Sequence, residues 1–218
     1  MKSRQEIKLL AKESAAAQRT PAILVVFLYI IATGIGSLVG IIPFLGWLLS
    51  VASTFILFVY FVGLGKFFVK LFGRETVTVE EQIGEVQVNF FRKLGGYYWA
   101  LLWTTLWSLL FVIPGIIKGI AYSMSTYILA NHPNVTATNA LKLSIRMTRG
   151  HKGKLFVMHL SFIGWFLLSS ITFGILFIVY VGPYYYATMA GYFVELREQA
   201  LANGTVEQGE LDGEYFNG

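Results

Sequence analysis

The sequence predicts an all-α, polytopic membrane protein with about six transmembrane helices, paired as three hairpins and joined by amphipathic helices on the cytoplasmic side. Three observations carry that expectation. The first is solvent preference. Of 218 residues, 56% are hydrophobic and 13% charged, and the mean hydropathy is +0.62. An ordinary soluble domain carries roughly 25% charged residues, so this chain has too few to cover a water-facing surface. The second is the length of its charge-free stretches. From Thr20 to Gly65, and again from Leu155 to Val194, no residue carries a formal charge. As helix these would run about 69 Å and about 60 Å against a hydrocarbon core of about 30 Å, so each crosses twice. The third is the placement of cations. Of 17 Lys and Arg residues, all but Lys118 lie in the N-terminal segment, the 66–96 loop, the 134–154 segment or the C-terminal end. Basic segments stay on the cytoplasmic side, which puts both termini inside.

The elements follow in order. Residues 2–19 are polar with five basic residues, and the apolar run after them is too long for a cleaved signal, so it reads as a first span. Spans are expected at 21–42 and 46–65, turning at Pro43-Phe44-Leu45-Gly46. In the 66–96 loop, Thr78-Val79-Glu80-Glu81 fits a capping box. Val79, Ile83, Val86, Phe90 and Leu94 then recur at three- and four-residue steps, which predicts one amphipathic helix on the membrane surface. Residues 97–131 are apolar apart from Lys118. Pro114 and Gly115 divide them into short pieces, 97–113 and 116–131, read either as a tight hairpin of two spans or as a re-entrant pair.

A second basic amphipathic helix is expected within 134–154, capped by Asn134, with Lys142, Arg146 and Arg149 on one face and Lys152 and Lys154 just beyond. The last hairpin, 155–172 and 175–194, turns near Thr172-Phe173-Gly174. The integral membrane domain thus covers 1–198. The tail 199–218 is rich in Glu, Gly and Asn and is expected to be disordered. A weak internal repeat is visible: three times, over 2–65, 75–131 and 134–194, a polar, partly basic helix precedes an apolar hairpin.

Function classes narrow by elimination. The absence of cysteine excludes disulfides, thiolate nucleophiles and Cys-ligated metals. His132, His151 and His159 have no metal-ligand spacing, and no cofactor is expected. No Asp or Glu occurs between Glu13 and Glu75, or between Glu85 and Glu195. Ion-coupled transporters usually place a carboxylate in the membrane, and intramembrane hydrolases need a carboxylate pair, a dyad or a metal. No catalytic constellation is visible. Gly150-His151-Lys152-Gly153-Lys154 lacks the phosphate-loop pattern and its preceding strand. Gly34, Gly36, Ser37 and Gly40 suit close helix packing. Tyr97, Tyr98 and Trp99, with Tyr184, Tyr185 and Tyr186, suit interfacial belts.

The candidate contacts are therefore cationic. Lys118 either snorkels to phosphate or captures an anionic group beside the Pro114-Gly115 helix break. Lys142, Arg146, Arg149, Lys152 and Lys154 are expected to touch anionic headgroups at about 1 kcal/mol each. Their place beside spans favours membrane lipids over nucleic acid, with another membrane protein as a second candidate partner. The expected function is a non-enzymatic module that binds lipid or a partner. The alternative is a transporter or channel for a small or amphiphilic solute, built on the broken 97–131 pair.

Several longer motifs carry a family resemblance. They are Trp107-Ser-Leu-Leu-Phe-Val-Ile-Pro-Gly-Ile-Ile-Lys-Gly-Ile-Ala-Tyr-Ser-Met124, Ala140-Leu-Lys-Leu-Ser144, Gly150-His-Lys-Gly-Lys-Leu-Phe156, Leu160-Ser-Phe-Ile-Gly-Trp165, Ile171-Thr-Phe-Gly174 and Gly182-Pro-Tyr184. Together they resemble the bacterial integral-membrane family of domain of unknown function 975, over about 1–198 and most strongly from residue 95 onward. The resemblance implies a bacterial cytoplasmic (cell) membrane location and carries over no catalytic residue.

Overall fold

The computed structural model describes residues 2–41 and 45–213. Every regular element among them is helical: α1 (Arg4–Ala17), α2 (Arg19–Val39), α3 (Leu45–Phe72), α4 (Val79–Gly84), α5 (Phe90–Leu110), α6 (Val112–Tyr122), α7 (Ser125–Asn131), α8 (Ala137–Thr148), α9 (Lys152–Leu160), α10 (Ile163–Ile171), a π-helical turn (Phe177–Val181), α11 (Gly182–Ala202) and α12 (Gln208–Asp212).

Four segments are long and apolar enough to cross a membrane: Arg19–Leu38, Gly46–Phe72, Val112–Asn131 and Lys152–Ile171. The other two expected crossings take a different form. The helix meant to begin near residue 97 starts at Phe90, so Arg92 and Lys93 fall inside α5. The stretch 175–194 contributes the π-turn and then α11, most of whose residues from Gly182 to Leu196 are buried by other helices.

α11 is the axis of the fold. α1 packs along it through Ile7, Ala11 and Ser14. A complete capping box starts α1, with Glu6 N donating to Ser3 Oγ at 3.2 Å and Ser3 N to Glu6 Oε2 at 2.6 Å. Glu195 of α11 receives Lys2 Nζ at 2.6 Å and Lys2 N at 2.8 Å. The buried core gathers around this end of the molecule: Phe68 and Leu71 of α3, Ile128 and Leu129 of α7, Leu143 and Met147 of α8, and Tyr192, Phe193 and Leu196 of α11. The opposite end is splayed. At its tips Leu38 is 68% exposed, Leu109 78%, Phe111 72% and Phe173 96%, so this half shows apolar side chains outward.

Several expectations are corrected at the level of single turns. The predicted amphipathic helix from Val79 to Leu94 is two helices. Thr78 caps α4 by accepting from Glu81 N at 3.2 Å, but the helix stops at Gly84 and Asn89 takes a left-handed conformation before α5. The break turns Glu85 inward between two lysines. The helix break expected at Pro114 and Gly115 lies earlier, at Phe111, whose backbone is extended (φ −157°, ψ 141°). Pro114 falls in the first turn of α6, where a missing N–H costs nothing. Gly115 is needed for another reason: a Cβ there would come within 2.7 Å of Ser108 Cα, so it lets α5 and α6 close into a tight hairpin. α8 is capped by Thr136, which accepts from Asn139 N at 3.4 Å, rather than by Asn134.

The turn expected at Thr172-Phe173-Gly174 is present, with positive φ at Phe173 and Gly174. The turn expected at Pro43-Phe44 lies outside the described residues. The tail is ordered as far as described. α11 continues to Ala202, and residues 203–213 fold back with Val206 and Leu211 buried. Composition predicted disorder there, but two apolar anchors and a salt bridge to α8 hold the segment down.

Candidate functional site

The compact half is laced with charge. Glu85 sits between two ammonium groups, bonding Lys66 Nζ and, at 2.9 Å, Lys93 Nζ. Lys93 is 1% exposed and also donates to the Glu85 carbonyl at 2.6 Å. Burial pushes the Glu85 carboxyl up, but the two ammonium groups outweigh it and hold the carboxyl below its ordinary value. Burial pushes Lys93 down, partly offset by Glu85. Beside it Arg92 donates to Leu129 O at 2.5 Å, Val135 O at 2.7 Å and His132 O at 3.3 Å. One guanidinium thus ties the last turn of α7 to the connection that leads into α8. Sequence reading missed this group. Its one signal was Glu85 itself, the last carboxylate before a long acid-free stretch and flanked by cations.

The predicted basic face divides. Lys142, Arg149 and Lys154 are exposed on α8 and α9, and Lys152 is half-buried beside them. Arg146 is already engaged. It bonds Glu210 at 2.5 Å (Nη1 to Oε1) and 2.9 Å (Nη2 to Oε2), and also the Thr205 carbonyl. That pairing holds the Glu210 carboxyl below the usual carboxylate range. Between Arg146, Arg149, His151, Gln199 and Asn203 lies a small cavity of about 130 Å³. His151 Nδ1 and Gln199 Oε1 are buried there without hydrogen-bond partners. Burial, then Lys154 nearby, pushes the His151 imidazole down.

Lys118 stands apart from these cations. It is half-buried on α6 with its Nζ 4.7 Å from the centre of the Trp107 ring, a cation–π contact across the α5–α6 hairpin. Pro114 and Gly115 lie one turn away.

A hollow of about 460 Å³ opens between α2 and α3 among Tyr29, Thr33, Ser37, Ser50, Ser53 and Thr54, and two smaller ones lie elsewhere. One, of about 310 Å³, lies at the step between α6 and α7 among Tyr97, Thr104, Ser123, Thr126, His159 and Tyr185. Tyr185 Oη and His159 Nδ1 share a hydrogen bond of 3.1 Å at its wall. The second, of about 280 Å³, lies in the elbow between α1 and α2. No cluster of three or more His, Asp or Glu side chains is placed to hold a metal ion among the described residues.

No curated protein and no solved structure matches the chain. The profile of one family, described as "Protein of unknown function (DUF975)", matches residues 97–200, from Tyr97 within α5 to Ala200 within α11. That stretch holds the α5–α6 hairpin, the basic face of α8 and α9, and the buried axis helix. Over that stretch, a little under half of the chain, the sequence is similar to the DUF975 family.

Proposed function

We propose that this protein is a six-span resident of a bacterial cytoplasmic membrane, with both termini in the cytoplasm, acting as a non-enzymatic module that binds anionic lipid. The carrying observation is the outward apolar belt. Leu24, Phe27, Ile31 and Ile35 of α2, Leu101 and Leu102 of α5, and Ile163, Leu167 and Ile171 of α10 are all exposed. Water would oppose this arrangement and lipid favours it. Lys142 and Arg149 precede the apolar segment Lys152–Ile171, and Lys152 and Lys154 open it; in this reading all four lie at headgroup depth. Another membrane protein remains the second candidate partner, through the same basic face.

Reporter fusions after Gly73, Asn131 and Asn203 test the topology, with a cytoplasmic signal expected at all three. An external signal at any one overturns the six-span arrangement. For lipid binding, the purified chain in neutral detergent should melt higher with phosphatidylglycerol than with phosphatidylcholine. That difference should shrink at high salt as charges are screened. Equal melting with both lipids overturns the headgroup reading.

One observation favours the alternative of a solute transporter or channel. The 310 Å³ hollow combines hydroxyls with aromatic rings at a step between helices, as solute sites in transporters do. Uptake of a labelled amphiphile into proteoliposomes, lost in Tyr185→Ala, would support it.

A further inference from the structure

The elbow between α1 and α2 has features that the basic face does not explain. Its hollow of about 280 Å³ has apolar walls from Ala16, Ile23, Val179 and Tyr184, with Lys12 and Arg19 at the rim. Neither cation forms an ion pair among the described residues. Arg19 is the first residue of the charge-free helix α2, so it sits at the boundary where headgroup phosphates lie.

The pocket is built rather than incidental. The chain turns at Gln18, whose side-chain amide donates to Glu75 O at 2.5 Å and accepts from Val77 N at 3.0 Å. That amide is therefore spent on fixing the elbow and makes no cap hydrogen bond to α2. The opposite wall comes from the π-turn, a rare element that tends to occur at functional sites. Gly182 makes that wall possible. A Cβ there would sit 2.8 Å from the Phe177 carbonyl and 2.9 Å from Val26 Cγ1. Pro183 follows without an N–H, so it adds no orphan donor to the turn.

We propose that this elbow binds one anionic phospholipid, its phosphate between Lys12 and Arg19 and the first part of an acyl chain along the π-turn wall. The proposal rests on the membrane reading above and adds a defined site to it. The walls argue for a lipid over free phosphate, since they offer apolar contact and the cations lie only at the rim.

Native mass spectrometry of the full chain in neutral detergent tests it. The probes are dioleoylphosphatidylglycerol, dioleoylphosphatidylcholine and glycerol 3-phosphate. One phosphatidylglycerol per chain should be retained on the order of tenfold more tightly than phosphatidylcholine, without competition from glycerol 3-phosphate. Lys12→Gln with Arg19→Gln should weaken retention about tenfold. Ala16→Trp should abolish retention by filling the pocket, with melting temperature unchanged. Arg4→Gln, which removes another exposed cation from α1, should leave retention intact. Equal retention of the two lipids overturns the site, as does competition by glycerol 3-phosphate. Loss of retention in Arg4→Gln as large as in Lys12→Gln with Arg19→Gln would make binding a matter of overall surface charge and equally overturns it. Membrane fractionation separates the two levels: a chain found in the aqueous fraction defeats the membrane reading itself, whereas a membrane-bound chain without lipid preference defeats only this site.

Discussion

Two buried ionisable groups dominate at the residue scale. Lys93 is almost wholly buried and keeps its charge because Glu85 is 2.9 Å away. Glu85→Gln would strand that ammonium and leave Lys66 without its partner. Loss of one member of such a group costs about 3–5 kcal/mol, so the variant should melt far below wild type or fail to accumulate. Glu85→Asp, which keeps the charge, should recover part of the loss. His132 works in the opposite sense. Burial, with Arg197 nearby, pushes its imidazole down to about 4. Its Nε2 is buried without a partner. An unfolded chain takes up the proton near pH 6.5, before the folded one does. Stability is therefore complete above that pH and falls as pH drops from about 6.5 toward 4. Melting curves at pH 7 and pH 4.5 should differ by several degrees, and His132→Gln should flatten the difference. Unchanged melting across that range in wild type would refute the assignment.

At the scale of elements, the α5–α6 hairpin and the C-terminal segment each show a cause that single residues hide. The hairpin bends because Phe111 is extended and because Gly115 admits Ser108. Pro114→Ala should shift stability by no more than about 0.5 kcal/mol. Gly115→Leu should cost about 1–3 kcal/mol by forcing the two helices apart. Thermal melts of both variants check this, and the reverse ranking would restore Pro114 as the cause of the bend. The C-terminal segment is a clasp. Arg146 holds Glu210 and Thr205, Asn134 Nδ2 donates to Asp212 O at 3.1 Å, and Leu211 is buried beneath. Arg146→Gln should release residues 203–213. Protease cleavage after Glu207 or Glu210 should then become rapid while the rest of the chain stays intact. Resistance equal to wild type would mean that Leu211 and Val206 suffice.

Much at this scale was legible beforehand. Cap chemistry placed Thr78 at the start of α4, and a Phe173-Gly174 turn followed from composition. The clasp was not legible, because Arg146 looked like any other cation on a helical face. Only the return of Glu210, far along the chain, removed it from the set open to lipid. Val79 to Leu94 misled for a related reason. Their spacing is helical throughout, but α4 stops at Gly84 and Asn89 is left-handed, and that break sets Glu85 between Lys66 and Lys93.

For the whole molecule, the sequence by itself determined that the chain is helical, that long stretches prefer lipid, and that its cations gather in few places. These follow from quantities additive along the chain: hydropathy, charge spacing and the length of helix that a bilayer accommodates. The tertiary structure decided which apolar helix lies inside. α2 and α11 are both long enough to span, yet α2 shows Phe27 and Ile31 outward while α11 buries Met189, Tyr192 and Phe193. Hydropathy separates them only in part: α11 carries Glu195, Arg197 and Glu198 in its second half and is not among the four apolar helices, whereas its apolar first half reads along the chain like part of a span. The tertiary structure also decided which cations stay open. Lys93, Arg92 and Arg146 are consumed by partners that fold back from elsewhere in the chain. Lys12, Arg19, Lys142, Arg149, Lys152 and Lys154 form no ion pair among the described residues. Charge pairing depends on contacts between distant residues, and a pattern read along the chain holds only neighbours.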